Sequence, residues 1–105
     1  MRLSPKSFGL LQIVAFATLS VHTSLAASAD NGGRLAQRWC AACHLVTPDQ
    51  GASTEAPPFS AIARRPGFDA GKVALFLLDP HPRMPDIGLT RSSAEDLAAY
   101  IASQK

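Results

Sequence analysis

The only two cysteines of this chain stand three positions apart with a histidine directly behind them, as Cys40-Ala41-Ala42-Cys43-His44. On a helical turn, positions i and i+3 share a face, so both thiols reach the same side. Few chemistries need that arrangement. A C-x-x-C-H run is the attachment signature of a c-type haem, in which both thiols add across the vinyl groups of one porphyrin as thioethers. His44 then serves as proximal axial ligand of the iron through Nε2, and its Nδ1–H is left for an acceptor to orient. Three other readings are weaker. A thioredoxin-like pair belongs in a βαβ context, and no alternating β-branched run is visible. A zinc site needs a fourth ligand, for which His81 is the only histidine left outside the first 29 residues. A Cys40–Cys43 disulfide closes a loop too short to staple much of a fold.

The N-terminus reads as an address. Arg2 and Lys6 precede an uncharged, mostly apolar stretch from Phe8 to Val21, followed by small residues. That is the basic region, apolar region and cleavage region of a secretory signal, shorter than the ~20 apolar residues that span a bilayer. Small residues at the minus-three and minus-one positions favour a cut after Ala29, with Ala27 and Ala29. A cut after Ala26, with Ser24 and Ala26, fits nearly as well. The expectation is a cleavable signal over residues 1–29 and one domain over 30–105, exported to the bacterial periplasm and not stably inserted in a membrane once cut. An uncleaved N-terminal anchor is the competing reading.

Removing residues 1–29 leaves 76, and a chain below ~80 residues needs a disulfide, a metal, a cofactor or a partner to supplement its core. The haem fills that need. The removal also changes the charge, because the formal +2 of the whole chain includes Arg2 and Lys6 and no acid from this segment. The remaining eight basic and eight acidic residues cancel. With no net charge and no run of Lys or Arg, nucleic acid is excluded as a partner.

The second axial ligand can be approached by elimination. Met84 is the only methionine besides Met1, and it lies among Pro80, Pro82 and Pro85, a stiff segment suited to holding a ligand. His81 is its rival. Helical spacing of Gly32, Leu35, Ala36, Trp39, Cys40 and Cys43 predicts an amphipathic helix from Gly32 to Ala42. Ala94, Leu97, Ala98 and Ile101 predict another near the C-terminus. Its cap is Thr90, Ser92 or Ser93, and Ser92 with Glu95 would form a capping box. Shorter helices are expected over Phe59 to Arg65 and Asp69 to Leu78, and Pro48 to Pro58 reads as a loop. The fold class is all-α, three to four helices wrapped around one covalently attached haem.

Across Gly32 to about Ser103 the chain resembles the class I monohaem cytochromes c. The resemblance rests on Cys40-Ala41-Ala42-Cys43-His44, Ala56-Pro57-Pro58-Phe59 with Ile62-Ala63-Arg64-Arg65, Pro82-Arg83-Met84-Pro85, and Asp96-Leu97-Ala98-Ala99-Tyr100-Ile101 in that order. It implies that Gly32 or Gly33 lets the two terminal helices cross closely near Tyr100. It also implies that a proline carbonyl, best matched by Pro57, accepts the hydrogen bond of the proximal histidine. The family's usual aromatic four residues before the first cysteine is Ala36 here, a volume that Trp39 or Leu35 would have to fill.

The reading that follows is a one-electron carrier and not an enzyme, with one haem c covalent through Cys40 and Cys43 and its iron ligated by His44 and Met84. Its partners would be redox proteins acting as donor and acceptor, a dehydrogenase, an oxidase or another cytochrome, met as a monomer or in a transient complex. Two alternatives stay open: a five-coordinate peroxidase or gas sensor if Met84 does not bind, and a dedicated cytochrome subunit of a periplasmic oxidoreductase. Arg38, Arg64, Arg65 and Arg83 are candidates for the haem edge, with Arg64-Arg65 suited to the propionates or to an ordinary solvated face.

Overall fold

The computed structural model describes residues 2, 17, 26–49, 55–79 and 84–105. The apolar stretch of the proposed signal, His81, Arg83, Pro80, Pro82 and the middle of the Pro48–Pro58 loop lie outside these residues. Among the described residues there are four helices and no strand: α1 (Ala29–Trp39), α2 (Phe59–Ala63), α3 (Ala70–Leu78) and α4 (Arg91–Ala102). None of them is long and apolar enough to cross a membrane.

Capping, more than apolar spacing, sets where these helices begin. The Ser28 Oγ accepts the N–H of Asn31 at 3.1 Å, and the Ser28 carbonyl accepts that of Gly32 at 2.9 Å. Helix α1 therefore starts three residues before the expected Gly32, with Asp30 in its first turn, where a negative charge meets the positive end of the helix dipole. It also stops three residues before Ala42. The Ala36 carbonyl accepts the N–H groups of both Cys40 (2.9 Å) and Ala41 (3.0 Å), which breaks the regular ladder and turns the chain out of the helix.

The other boundaries have similar causes. Helix α2 ends at Ala63 and not at Arg65, because Pro66 disfavours the helical region for the residue before it. Asp69 caps α3, its Oδ1 accepting the Lys72 N–H at 2.9 Å. Thr90 caps α4, its Oγ1 accepting the Ser93 N–H at 3.0 Å. The Ser92–Glu95 capping box does not form, since Ser92 lies inside the helix and Ser93 holds the third position.

Helix α4 is the common surface, packed against α1, α3 and α2. At its crossing with α1 the backbones nearly touch. A Cβ built on Gly32 would collide with the Asp96 carbonyl oxygen and come within 2.8 Å of the Tyr100 Cβ, whereas one on Gly33 would meet only the edge of the Tyr100 ring at 3.0 Å. Gly32 is thus the residue of the crossing. Where α3 meets α4 the buried side chains are Ala74, Ala94 and Ala98, small enough for a second close approach.

The main core joins Ala36, Val46, Phe59, Ala63, Leu97 and Ile101. It is thin: the largest side chains that are fully buried are Leu97 and Val46. A domain of this size cannot rest on so little apolar volume alone. Trp39 does not supply the missing aromatic next to Ala36, because its side chain is 46% exposed. Ala36 itself is completely buried, and Phe59 brings the aromatic ring from α2 instead.

Gly32→Ala should lower the melting temperature of the haem-loaded protein, although alanine favours a helix over glycine by about 1 kcal/mol. Overpacking at the crossing costs about 1–3 kcal/mol, and each net 1 kcal/mol moves a domain of this size by roughly 4–8 °C. Thermal unfolding followed by far-UV circular dichroism, with exposed Gln37→Ala on the same helix as control, checks this.

Candidate cofactor site

The C-x-x-C-H segment leaves α1 as a single hydrogen-bonded turn. Cys40 is the C-cap, and its carbonyl accepts the N–H of Cys43 at 3.2 Å and that of His44 at 2.9 Å. The two cysteines therefore keep helical spacing one turn beyond the helix proper. No disulfide joins the two thiols, Cys40 being half-buried and Cys43 exposed. Burial pushes the Cys40 thiol up to about 11. Reactive redox cysteines have lowered values, the opposite of the direction at Cys40. Among the described residues, no three His, Cys, Asp or Glu side chains gather into a metal cluster, and His81, the fourth ligand a zinc site would need, lies outside them.

Two backbone bonds fix what faces His44. The Ala56 N–H donates to the Cys43 carbonyl at 3.2 Å, and the Phe59 N–H donates to the Leu45 carbonyl at 2.9 Å. Between these ties sit Pro57 and Pro58, which have no N–H to place. The His44 Nδ1–H donates to the Pro57 carbonyl at 2.7 Å. A carbonyl can only accept, so this bond fixes the tautomer and leaves Nε2 as the free ring nitrogen. Of the doubled prolines it is Pro57 that takes this role, while Pro58 is the N-cap of α2.

The histidine ring is also held from its side. Phe59 packs against it with ring centroids 5.3 Å apart, and Tyr100 meets Phe59 edge-on at 6.2 Å. The Tyr100 hydroxyl donates to the Val46 carbonyl at 2.7 Å, two residues beyond His44. Helix α4 thereby grips the segment that carries the histidine. Tyr100 was expected at the crossing by Gly32 or Gly33, whereas nothing in the sequence placed the Phe59 ring against His44.

In front of this cluster opens a cavity of about 1000 Å³, at the upper end of the range for small-molecule and cofactor pockets. Cys40, Cys43, His44 and Met84 all line it, with Phe68, Phe76, Leu97 and Ile101 among its apolar walls. Phe76 is 53% exposed in spite of its size because it faces this space. Met84 and Cys43 also line a second, smaller cavity beside Trp39 and Leu89. The donor set fits a haem: two thiols at the required spacing, an imidazole with Nε2 free, a thioether on the same cavity and apolar walls around them.

Of the arginines singled out in the sequence, Arg65 lines the cavity and Arg64 is not among its lining residues. Lys72, which the sequence reading passed over, lines it as well. Arg38 lies over the exposed Trp39 ring with its guanidinium carbon 4.8 Å from the centroid, a cation–π contact at the surface.

The chain belongs to the class I c-type cytochromes. Its helices and C-x-x-C-H turn are those of that class, and it is accordingly a haem c electron-transfer protein, with covalently bound haem and iron. It is 50% identical over 96 residues, covering 90% of this chain and 91% of the other, to cytochrome c-552 of Bradyrhizobium diazoefficiens. No family model matches the chain, and no solved structure does.

Tyr100→Phe should cost about 1 kcal/mol by removing the bond to Val46. Burial holds the Tyr100 hydroxyl above its ordinary 10.0, so its share of stability is complete below pH 10 and is lost as pH rises through the folded value. Melting temperatures measured from pH 7 to 11 should therefore fall less steeply above pH 10 in the variant than in the parent protein.

Proposed function

We propose that the protein is an exported, periplasmic carrier of single electrons, with haem c attached through Cys40 and Cys43 and its iron bound by His44 on one face and Met84 on the other. The observation that carries the reading is the His44 Nδ1–H bond to Pro57, which orients the imidazole on a cavity that Met84 also lines. When bound, the haem supplies the one-electron couple of its iron.

The chain's own residues set the conditions for that couple. Pro57 strengthens His44 as a donor by drawing on its Nδ1–H. A thioether opposite the imidazole raises the potential relative to a second histidine. The apolar walls of Phe68, Phe76, Leu97 and Ile101 disfavour additional positive charge and exclude water from the iron. Arg65 and Lys72, which both line the cavity, would offer cations to the haem propionates. His44 and Met84 on the same cavity would both be taken up in holding the iron and leave no position for a substrate, which supports a carrier over an enzyme. Donor and acceptor are then other redox proteins, a dehydrogenase, an oxidase or another cytochrome, met transiently by a monomer. The basic and apolar N-terminal stretch acts as an export signal that is removed.

A redox titration with ferric absorption spectra tests the ligand pair. Met84→Ala should lower the potential by on the order of 100 mV, a fraction of the ≈0.8 V range open to axial ligands, and should abolish the weak near-infrared band of thioether ligation. His81→Ala should leave both unchanged. The reverse pattern would assign the sixth position to His81.

A further inference from the structure

The only buried charged residue among those described is Asp96 on α4, and both of its carboxylate oxygens are taken by the start of α1. The backbone N–H of Ser28 donates to Oδ1 at 2.7 Å, and the Asn31 side-chain amide donates to Oδ2 at 2.8 Å. Ser28 is used three times over. Its N–H binds Asp96, its Oγ accepts from Asn31 and its carbonyl accepts from Gly32. These bonds tie the first turn of α1 to α4, 68 positions along the chain, directly at the crossing where Gly32 meets the Asp96 carbonyl. Ser28 therefore belongs to the folded domain, although the small-residue pattern alone would discard it with the signal.

We infer that the export peptidase hydrolyses the Ala26–Ala27 bond and not Ala29–Asp30, so that the mature chain begins Ala27-Ser28-Ala29. The inference rests on the reading of the N-terminus as a removable export signal. In the step, water adds across one amide, leaving a carboxylate on Ala26 and an α-amine on Ala27. Ser24 and Ala26 supply the small residues that such a peptidase requires. Residues 26–28 are exposed and outside the helix, whereas Ala29 is the first residue of α1 and half-buried. A cut after Ala29 would remove all three Ser28 bonds and leave a buried carboxylate oxygen without its nearest donor, a costly outcome for a group out of water. A cut after Ala26 keeps Ser28 linked through a true amide, so the N–H that Asp96 accepts is preserved. Ala27, Ser28 and Ala29 carry no charged side chains, so the charge balance of the mature chain is the same for either cut.

The full chain, exported and haem-loaded in a bacterial host, gives the answer by intact mass and N-terminal sequencing. A first residue of Ala27 is expected. A first residue beyond Ser28 overturns the inference while leaving export intact, and a chain retaining its initial residues overturns the export reading itself. Ser28→Ala provides an independent measurement, since it alters neither the minus-one nor the minus-three position of either cut. If Ser28 is retained, the exported variant should melt roughly 4–8 °C lower than the parent, the shift that loss of an ordinary N-cap gives a domain of this size. If Ser28 leaves with the signal, the two mature proteins are identical and their melting curves superimpose, which overturns the inference.

Discussion

The close approach of α1 and α4 at Gly32 organises the molecule. Because no side chain separates the two backbones there, α1 can lie low on α4, and its C-terminal end delivers the C-x-x-C-H turn beside Leu97 and Ile101 of the same helix. The crossing is polar as well as tight. Asp96 contributes its carbonyl to the steric contact and its carboxylate to the Ser28 N–H and the Asn31 amide, so one residue shares in both the close spacing of the helices and the anchoring of the first turn of α1. Buried charges are costly unless hydrogen-bonded, and this one has its partners.

From that crossing the rest of the site is assembled by backbone bonds and rings. The turn after α1 is stitched to the residues before α2 on either side of the proline pair, and the prolines, having no N–H, leave a carbonyl directed at His44. Tyr100 adds a third tie from α4 to Val46, and the sequence Tyr100, Phe59, His44 forms a run of ring contacts from one helix to the imidazole. Each tie comes from a different part of the chain. Their agreement on one histidine orientation is what a ligand needs if its iron is to change oxidation state without moving the ring, since a rigid first contact limits reorganisation.

The packing also explains how a domain so short can be a domain. Its protein core is built largely from alanines at helix crossings, with Leu97 and Val46 as the largest fully buried side chains. Alanine cores bring helices close and bury little area. Larger apolar residues on the cavity, Phe68 and Phe76, keep surface exposed there for the cofactor. Small side chains at crossings and large ones at the cavity are thus two halves of one division of labour.

Much of this was legible in the sequence because the chemistry is local. The thiol spacing, the adjacent histidine and the four helices follow from short-range patterns, and the aspartate and threonine caps of α3 and α4 follow from side chains that bond within a turn. Other features depended on residues distant in sequence. The first turn of α1 is anchored to Asp96 through the Ser28 N–H, Phe59 and not Trp39 joins Ala36 in the core, and Lys72 lines the cavity from α3, which packs on α4. The choice between Gly32 and Gly33 was equally hidden, since only the crossing angle decides which glycine meets a backbone and which a ring edge. The sequence by itself determined which groups could hold a haem, because covalent attachment depends on the order of neighbouring residues. Only the tertiary structure decided how those groups are aimed and how closely α1 and α4 cross, because both rest on hydrogen bonds and contacts between segments far apart along the chain.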